Sequence, residues 1–335
     1  MKLLIVLALL PLCRSAVLPL PQPSRVVNCD DAEAHEAANA AVQYMNSNRK
    51  TGYKFALNRI EDIFVHGLAP VEVFTVELDL LETKCPSLSP TPIEQCPVRP
   101  VVERAVEGDC DIKLKKDNGT FTVIGIRCKS ELDSVENMLK FCPNCQLAPL
   151  NDTQVVHAVD VSLHKFNTGN NTAFYLLHEI GRGKIQSGIS NSVDVEFVIA
   201  ASNCSIDDAN SGAACVENSG AGAHFGACSG SVVKNQGAAD EDVVVQCAVY
   251  ETQPGNVEQA VVPHVPLAPP QTNVVKSHFH HNLHYSSLGP LSSESNSAEQ
   301  LAAQGSHAVK RSLTGQSVPP SAPRLHLCPG RKIHY

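Results

Sequence analysis

Two stretches of equal length carry four cysteines each at nearly the same spacing. Residues 85–128 read CPSLSPTPIEQCPVRPVVERAVEGDCDIKLKKDNGTFTVIGIRC, and residues 204–247 read CSIDDANSGAACVENSGAGAHFGACSGSVVKNQGAADEDVVVQC. The steps between successive cysteines are 11, 14 and 18 residues in the first stretch and 11, 13 and 19 in the second. Equivalent cysteines are therefore 118 or 119 residues apart. This regularity predicts two tandem copies of one domain.

The sequence before each stretch indicates the same order of elements in both copies. In the first copy Asp30 and Glu33 form a capping-box pattern ahead of an apolar stripe with helical spacing. In the second copy Asp152 or Thr153 can cap a similar helix. Segments in which apolar and polar residues alternate follow each helix, as expected for strands. We therefore predict an α+β fold in which each copy packs one helix across an antiparallel sheet.

Charge and composition narrow the range of partners. The chain has 335 residues, with 26 Lys and Arg against 34 Asp and Glu, so its formal net charge is −8. Proteins that bind nucleic acid need an excess of cationic side chains to neutralise phosphates, and this chain lacks one. A cationic or mineral partner fits the sign of the charge better.

The first 15 residues have the pattern of a signal peptide. Lys2 precedes the apolar run Leu3–Leu12, and small residues follow at the expected cleavage point near Ser15. No other apolar run approaches the roughly 20 residues that span a bilayer. We therefore expect a secreted protein without a membrane span. Removal of Cys13 leaves 12 cysteines, and six disulfides are the default in an oxidising compartment.

The expected organisation is a signal peptide at 1–15, domains at 27–142 and 143–251, and a tail at 252–335. The tail is rich in Pro, His and Ser, so we predict that it is largely disordered and held near its end by Cys328. Lys310-Arg311 is a weak candidate for processing. A weak transition-metal site is the other candidate in the tail, formed by His278, His280, His281 and His284.

Pairing of neighbouring cysteines within each copy is one way to form the disulfides. It would join Cys85 to Cys96, Cys110 to Cys128, Cys204 to Cys215, and Cys228 to Cys247. The remaining cysteines are Cys29, Cys142, Cys145 and Cys328; a ring from 142 to 145 and a tie from 29 to 328 would complete the set. The sequence alone leaves this connectivity open.

Several short strings resemble the fetuin family of the cystatin superfamily. They are Asn28–Asp31, Leu81–Cys85, Ala105–Asp111, Ala148–Thr153 and Cys328–Arg331. The similarity covers both predicted domains and the last residues. It implies two cystatin-like domains, the neighbour pairing of cysteines, and a long bridge between the first and last mature cysteines.

The same resemblance implies a glycoprotein of blood plasma that binds calcium phosphate and opposes ectopic calcification. One branch of the family inhibits astacin-type metalloproteases, and related snake-serum proteins inhibit venom metalloproteases. Extracellular metalloproteases are therefore the alternative partners. We expect a monomer and predict no cofactor, with Ca²⁺ only as a ligand.

The strongest candidate site is a set of four acids. Glu77 and Asp79 share one face of a predicted strand within residues 72–82, and Asp109 and Asp111 share one face of another. Alternation alone is typical of solvated amphipathic strands. In the fetuin family, however, the acidic sheet of the first domain is the mineral-binding surface, and the resemblance favours that role here. Because one millimolar contact contributes only about 4 kcal/mol, useful affinity requires many contacts together.

Basic residues follow the acids on the second of these strands. Lys113 and Lys115 have the same parity as Asp111, so they are expected to limit the acidic patch at that end or to meet phosphate.

The cysteine-protease inhibitors of the cystatin superfamily insert a Gln-x-Val-x-Gly hairpin into their target. This chain has no such string and no Trp, so we do not predict that activity. Cys142-Pro143-Asn144-Cys145 resembles the Cys-Pro-Asp-Cys segment that one branch of the fetuins offers to a protease zinc. Asn144 replaces the aspartate, and an amide is a poorer zinc ligand than a carboxylate. No nucleophile elbow or phosphate loop occurs, so we predict no enzyme activity.

Two kinds of modification site are predicted from local strings. Four Asn-x-Ser/Thr sequons begin at Asn118, Asn151, Asn170 and Asn203. Three Ser-x-Glu patterns, typical of secretory kinase substrates, begin at Ser134, Ser292 and Ser297. A phosphate at each serine would add negative charge and oxygen ligands for calcium.

Overall fold

A computed structural model describes residues 24–250, apart from 69, 104, 171–172, 189, 220–222, 236 and 238–239, together with 286–287 and 328–334. The predicted signal peptide and nearly all of the predicted tail lie outside these residues. So do the candidate histidines of the tail, Ser292, Ser297 and the Lys310-Arg311 pair. Among the described helices, none has the length and apolar character needed to cross a membrane.

The first unit is an antiparallel sheet with one long helix across it. The strand order is β1-β2-β3-β4-β5-β11. The strands are β1 (Ser24–Arg25), β2 (Tyr53–Leu68), β3 (Val71–Pro86), β4 (Val106–Asp117), β5 (Thr120–Leu132) and β11 (Ser286–Ser287), and the helices are α1 (Ala32–Asn48) and α2 (Val135–Phe141). Two short 3-10 turns, Ile93–Gln95 and Val101–Glu103, lie between β3 and β4.

The second unit repeats this arrangement with five strands in the order β10-β9-β8-β7-β6. Its elements are β6 (Cys145–Leu147), α3 (Thr153–Gly169), β7 (Tyr175–Gln186), β8 (Ser190–Ala201), α4 (Ile206–Asn210), β9 (Phe225–Asn235) and β10 (Asp242–Val249). The sheet pairs in both units are antiparallel, so the α+β prediction for the two copies is confirmed. The first sheet begins at Ser24, slightly before the predicted domain start at residue 27.

Each unit buries its own core between helix and sheet. Helix α1 packs a stripe of buried alanines and Met45 on the first sheet, and α3 packs Val155, Ala158 and Val159 on the second. Near the end of each helix, the side chain of a buried asparagine bonds both the N–H and the carbonyl of one residue in the next strand. Asn46 bonds Phe55 in this way, and Asn167 bonds Tyr175. These hydrogen bonds satisfy polar groups that would otherwise be costly to bury.

The helix starts differ from the sequence prediction in one copy. Asp152 caps α3 as predicted, accepting a hydrogen bond from the backbone of Gln154 at 2.8 Å. In the first copy the predicted capping box of Asp30 and Glu33 is wrong, because Asp31 is the N-cap residue and makes no capping bond with its side chain. Long-range partners engage both residues instead. The Asp30 carboxylate accepts from the backbone of Arg331, and Glu33 pairs with basic side chains.

Six disulfides join the described cysteines. Their pairs are Cys29–Cys328, Cys85–Cys96, Cys110–Cys128, Cys142–Cys145, Cys204–Cys215 and Cys228–Cys247. Four bridges lie within the repeated stretches at equivalent positions. The bridge with a sequence separation of 299 residues attaches the segment that contains Cys328 to the first unit.

Candidate functional site

The register of β3 and β4 brings the four predicted acids together. Glu77 lies directly opposite Asp111, and Asp79 lies directly opposite Asp109. The Cα atoms of opposite residues in antiparallel strands are about 4.5–5.5 Å apart, and side chains on one face repeat every 6.8 Å or so along a strand. The four carboxylates therefore form two adjacent rows on one surface, which we call the acidic face.

Burial of the intervening residues fixes the orientation of these acids. Val76 and Leu78 of β3 and Cys110 and Ile112 of β4 are fully buried or nearly so in the core of the first unit. Because side chains alternate along a strand, the acids must point to the opposite surface. Glu77, Asp109 and Asp111 are exposed there, whereas Asp79 is half-buried.

Two further acids border the acidic face and were missed in the sequence. Asp62 of β2 lies opposite Glu77, but a register shift between Ile60 and Asp62 breaks the alternation that would have revealed it. Glu107 of β4 is exposed two residues before Asp109. Its parity matches that of Asp109, so the same alternation rule could have found it.

Repulsion between neighbouring carboxylates contributes to the raised pKa of Glu77 on the acidic face. The pKa of Glu77 is raised by partial desolvation, then by Asp111 and Asp62. Partial burial also raises the pKa of Asp79, although a hydrogen bond donated by Asn58 opposes this shift. A divalent cation placed among these carboxylates would relieve the repulsion.

Strand β5 adds cations along one side of the acidic face. Arg127 Nη2 is 2.8 Å from Asp111 Oδ2, and Lys129 Nζ is 3.1 Å from Asp109 Oδ2. All four side chains are well exposed, so each ion pair contributes only about 0–1 kcal/mol and can be exchanged for another partner.

The two predicted basic residues of β4 lie beyond the acids. Lys113 is exposed opposite Thr75, and Lys115 pairs with Asp117 at 2.9 Å. They end the acidic run along β4, as the sequence pattern predicts.

The acids do not converge on one point. Across the described part of the chain, no group of three or more His, Cys, Asp or Glu side chains is arranged to hold a metal ion. Rows of carboxylates on a sheet instead suit an extended set of calcium ions, because Ca²⁺ accepts oxygen ligands in flexible geometry.

The second copy supplies an internal comparison for the acidic face. Its strands have the same register, with Glu196 opposite Ser229 and Val198 opposite Ala227. Three of the four acids of the first copy are thus replaced by uncharged residues in the second. The cations are replaced too, because Gln246 and Ala248 occupy the positions of Arg127 and Lys129. The fold therefore does not require these charges.

The remaining acid of that row in the second copy has a different role. Glu196 contacts Arg99 of the first unit, so this surface of the second sheet faces the first unit. A cleft of about 370 Å³ lies there, lined by Glu103 and Met138 from one unit and by Ser229 and Gln246 from the other. The equivalent surfaces have therefore diverged: the first is an exposed charged face, whereas the second uses Glu196 in a contact between the units and keeps Ser229 and Gln246 exposed beside the cleft.

The linker between the units carries the second candidate site. The Cys142–Cys145 disulfide closes a short loop between α2 and β6, in which Pro143 and Asn144 are exposed. The Asn144 carbonyl accepts a hydrogen bond from the backbone of Ser187 at 3.3 Å. Phe141, immediately before the loop, is 73% exposed. The loop is thus presented to solvent beside an apolar side chain.

The predicted modification sites that the structure describes lie at or near the surface. Asn118 is in the turn between β4 and β5, and Asn151 and Asn203 are also exposed. Asn170 is half-buried, and its Nδ2 donates a hydrogen bond to the carbonyl of Ala173 at 2.7 Å. Ser134 is exposed at the N-cap of α2. Glycosylation and phosphorylation at these residues remain predictions.

Comparisons with known proteins agree with this architecture. No protein-family model matches the chain. The alpha-2-HS-glycoprotein of sheep (Ovis aries) is 38% identical over an alignment of 363 positions. The alignment covers 98% of this chain and 97% of the relative.

Two solved structures are also similar. Mouse fetuin-B in an inhibitory complex with human meprin beta aligns with a TM-score of 0.60 at 26% identity, covering 70% of this chain and 76% of the other. Mouse fetuin-B in complex with crayfish astacin aligns with a TM-score of 0.58 at 25% identity, covering 69% and 70%. Because the sheep relative matches along nearly the whole length of both chains, this protein belongs to the alpha-2-HS-glycoprotein family of fetuins, with two cystatin-like units.

Proposed function

We propose that this chain is a secreted, non-enzymatic plasma glycoprotein that binds calcium phosphate and inhibits ectopic calcification. The acidic face is its mineral-binding surface. The protein acts as a mineral chaperone by covering nascent calcium phosphate before the particles grow, and it works as a monomer.

One observation carries this proposal: the charged rows occur in the first copy and not in the second, on the same backbone register. Solvation of an amphipathic strand needs only polar side chains, as Ser229 and Gln246 of the second copy illustrate. Closely spaced carboxylates add repulsion without contributing to the core. A ligand that gains from this arrangement accounts for the difference.

The sheet geometry suits a mineral better than a single ion. Each carboxylate binds Ca²⁺ weakly, and affinity accumulates when several contacts form at once on a rigid surface. The neighbouring Arg127, Lys129 and Lys113 provide positive charge beside the acids, where phosphate ions of the same mineral can be contacted. Both ions of calcium phosphate thus find partners on one face.

The test is a quadruple variant, Glu77→Gln, Asp79→Asn, Asp109→Asn and Asp111→Asn, in a turbidity assay of calcium phosphate precipitation. We expect it to lose the delay of precipitation while its circular dichroism and thermal midpoint stay near those of the parent.

The matched control removes four exposed acids outside the acidic face: Glu94→Gln, Asp207→Asn, Asp240→Asn and Asp242→Asn. It changes the net charge equally and should protect like the parent. If the quadruple variant delays precipitation as well as the parent does, the acidic face is not the mineral-binding surface.

A second candidate function is inhibition of astacin-type or snake-venom metalloproteases through the Cys142–Cys145 loop. The exposure of Pro143 and Asn144 supports it, as do the metalloprotease complexes of mouse fetuin-B. An assay of the intact chain against astacin and a venom metalloprotease decides the matter. Absence of inhibition at micromolar concentrations of this chain would eliminate the candidate.

A further inference from the structure

The segment Cys328–His334 lies along β2 of the first unit, and we call it the docked segment. The backbone N–H of Gly330 donates to the carbonyl of Ile60, and that of Ile333 donates to the carbonyl of Asn58, each at 2.8 Å. The disulfide to Cys29 anchors its other end. The docked segment is therefore an integral part of the first unit, although its contacts with β2 join residues up to 276 positions apart in sequence.

Asn58 of β2 accepts two hydrogen bonds from the docked segment, one at its backbone carbonyl and one at its side chain. The pairing of β2 with β3 shifts register between Leu57 and Arg59, so Asn58 is the extra residue of a β-bulge. A bulge removes its residue from the ladder and redirects the side chain. Asn58 is only 4% exposed, so its polar groups need partners within the protein.

The side chain of Asn58 connects the docked segment to the acidic face. Its Oδ1 accepts a hydrogen bond from the backbone N–H of His334 at 3.2 Å, and its Nδ2 donates to Asp79 Oδ2 at 2.8 Å. A backbone N–H can only donate, so it holds the amide with the oxygen toward His334. The NH₂ group is thereby directed at the carboxylate of Asp79.

We propose that the docked segment is a positioning element of the acidic face, which acts through Asn58 to orient the Asp79 carboxylate for Ca²⁺. The proposal rests on the calcium-binding role of that face. The hydrogen bond from Asn58 Nδ2 fixes one oxygen of the half-buried Asp79 carboxylate, so the position of that carboxylate depends on the docked segment.

The second copy lacks this arrangement. His178 occupies the equivalent bulge, between Leu177 and Glu179, and its Nδ1 contacts Glu217 at 3.0 Å. Val198 stands where the first copy has Asp79. The bulge is common to both copies, but the amide at the bulge and the acid it contacts occur together only in the first copy.

The sharpest test compares His334→Pro with His334→Ala in the full chain. Both variants lose the imidazole, but only proline loses the backbone N–H that holds Asn58. A chain ended at Lys332 removes both donors to Asn58 and provides a second variant. The anchors at Cys328 and Gly330 remain in all of them, so the thermal midpoint serves as the check on folding.

The readouts are the pKa of Asp79 by carboxyl ¹³C NMR and Ca²⁺ affinity by isothermal titration with calcium alone. His334→Pro and the shortened chain should raise the pKa of Asp79 while that of Glu77 stays as in the parent. Their calcium affinity should fall about tenfold, the lower end of the effect of groups that orient metal ligands. His334→Ala should match the parent in both measurements.

An unchanged pKa of Asp79 in His334→Pro and the shortened chain would overturn the proposal. A raised pKa with unchanged calcium affinity would overturn it as well, because the contact would then not serve calcium binding. Failure of the mineral function itself is seen separately, in the quadruple acid variant. The NMR measurement tests the link between Asn58 and Asp79 without any mineral present.

Discussion

Arg99 of the first unit donates two hydrogen bonds to Glu196 of the second, from Nη1 to Oε1 at 3.0 Å and from Nη2 to Oε2 at 2.8 Å. The same guanidinium lies 3.2 Å from Glu82 and 2.9 Å from Glu103, and its side chain is completely buried. Tyr53 also donates to Glu196. Burial alone would raise the pKa of Glu196, but the contacts with Arg99 hold it below its ordinary value. A buried charged network therefore joins the units.

Replacement of Arg99 by alanine should destabilise the protein strongly. Arg99→Ala would remove the guanidinium nearest to Glu82, which is 2% exposed, and leave it with Arg182 at 4.0 Å. Removal of one member of a buried ion pair typically costs about 3–5 kcal/mol of unfolding free energy. Urea unfolding at neutral pH measures this loss. Lys84→Ala, which breaks only the exposed pair with Glu103, should cost about 1 kcal/mol or less. Equal losses in the two variants would contradict the network's role.

Glu77→Gln should stabilise the calcium-free protein at neutral pH. The pKa of Glu77 is raised in the folded state, so the folded protein holds this proton more tightly than the unfolded chain does. The free energy of unfolding therefore decreases as the pH rises through the raised pKa, because the folded protein then has to give up this proton. At pH 7 the parent has lost all of the stability that protonated Glu77 contributes at low pH. We expect a gain of up to about 0.5 kcal/mol by thermal unfolding at pH 7.

The gain from Glu77→Gln should vanish at a pH low enough to protonate the glutamate in both states. If the acidic face binds calcium as proposed, saturating calcium should make the parent the more stable of the two at pH 7, because Glu77→Gln removes one calcium ligand. A Glu77→Gln variant that is less stable than the parent at pH 7 without calcium would contradict the repulsion described above.

Arg127→Gln should strengthen binding of calcium alone. Arg127 pairs with Asp111, so under the proposed function it would compete with calcium for that carboxylate; the second copy has a glutamine, Gln246, at this position. Exposed ion pairs are worth up to about 1 kcal/mol, so the gain in affinity should be about two- to fivefold in a low-salt titration. Lys184→Gln breaks a similar exposed pair, with Asp194 in the second unit, and should have no effect. Weaker binding by Arg127→Gln would mean that the cation supports the site.

Asn144→Asp should increase inhibition of astacin-type metalloproteases. The change places a carboxylate, which is a good zinc ligand, in the exposed loop closed by Cys142 and Cys145. We expect the inhibition constant against astacin to fall at least about tenfold, equivalent to about 1.4 kcal/mol. Asn210→Asp, an exposed substitution on α4, serves as the control and should leave inhibition unchanged. No gain from Asn144→Asp would argue against zinc contact through this loop.

Much of the candidate site follows from local alternation. Because successive side chains of a strand point to opposite faces, the position of Glu77 between Val76 and Leu78 was enough to direct it outward. The same rule fails at bulges, where an extra residue changes the parity. Asp62 was missed for this reason, as was the part that Asn58 plays beside Asp79.

Helix capping shows a second way in which rules based on the local sequence fail. The spacing of Asp30 and Glu33 satisfies the capping-box pattern, yet both side chains bond to partners outside the helix. A charged group or backbone N–H from a distant part of the chain, once positioned by the fold, can bond such a side chain in place of the helix N-terminus. A bridge from Cys29 to Cys328 brings the two segments near each other, but the local sequence does not show that the backbone of Arg331 donates to Asp30.

By itself the sequence determined the two copies, the α+β class of each and the outward direction of the four acids, because cysteine spacing and side-chain alternation are properties of the local chain. Only the tertiary structure decided which acids lie opposite one another and which face of the second copy meets Arg99. It also decided that His334 holds Asn58 across a separation of 276 residues. These relationships depend on strand register and on contacts between distant residues, which arise only when hydrophobic burial has brought the strands together.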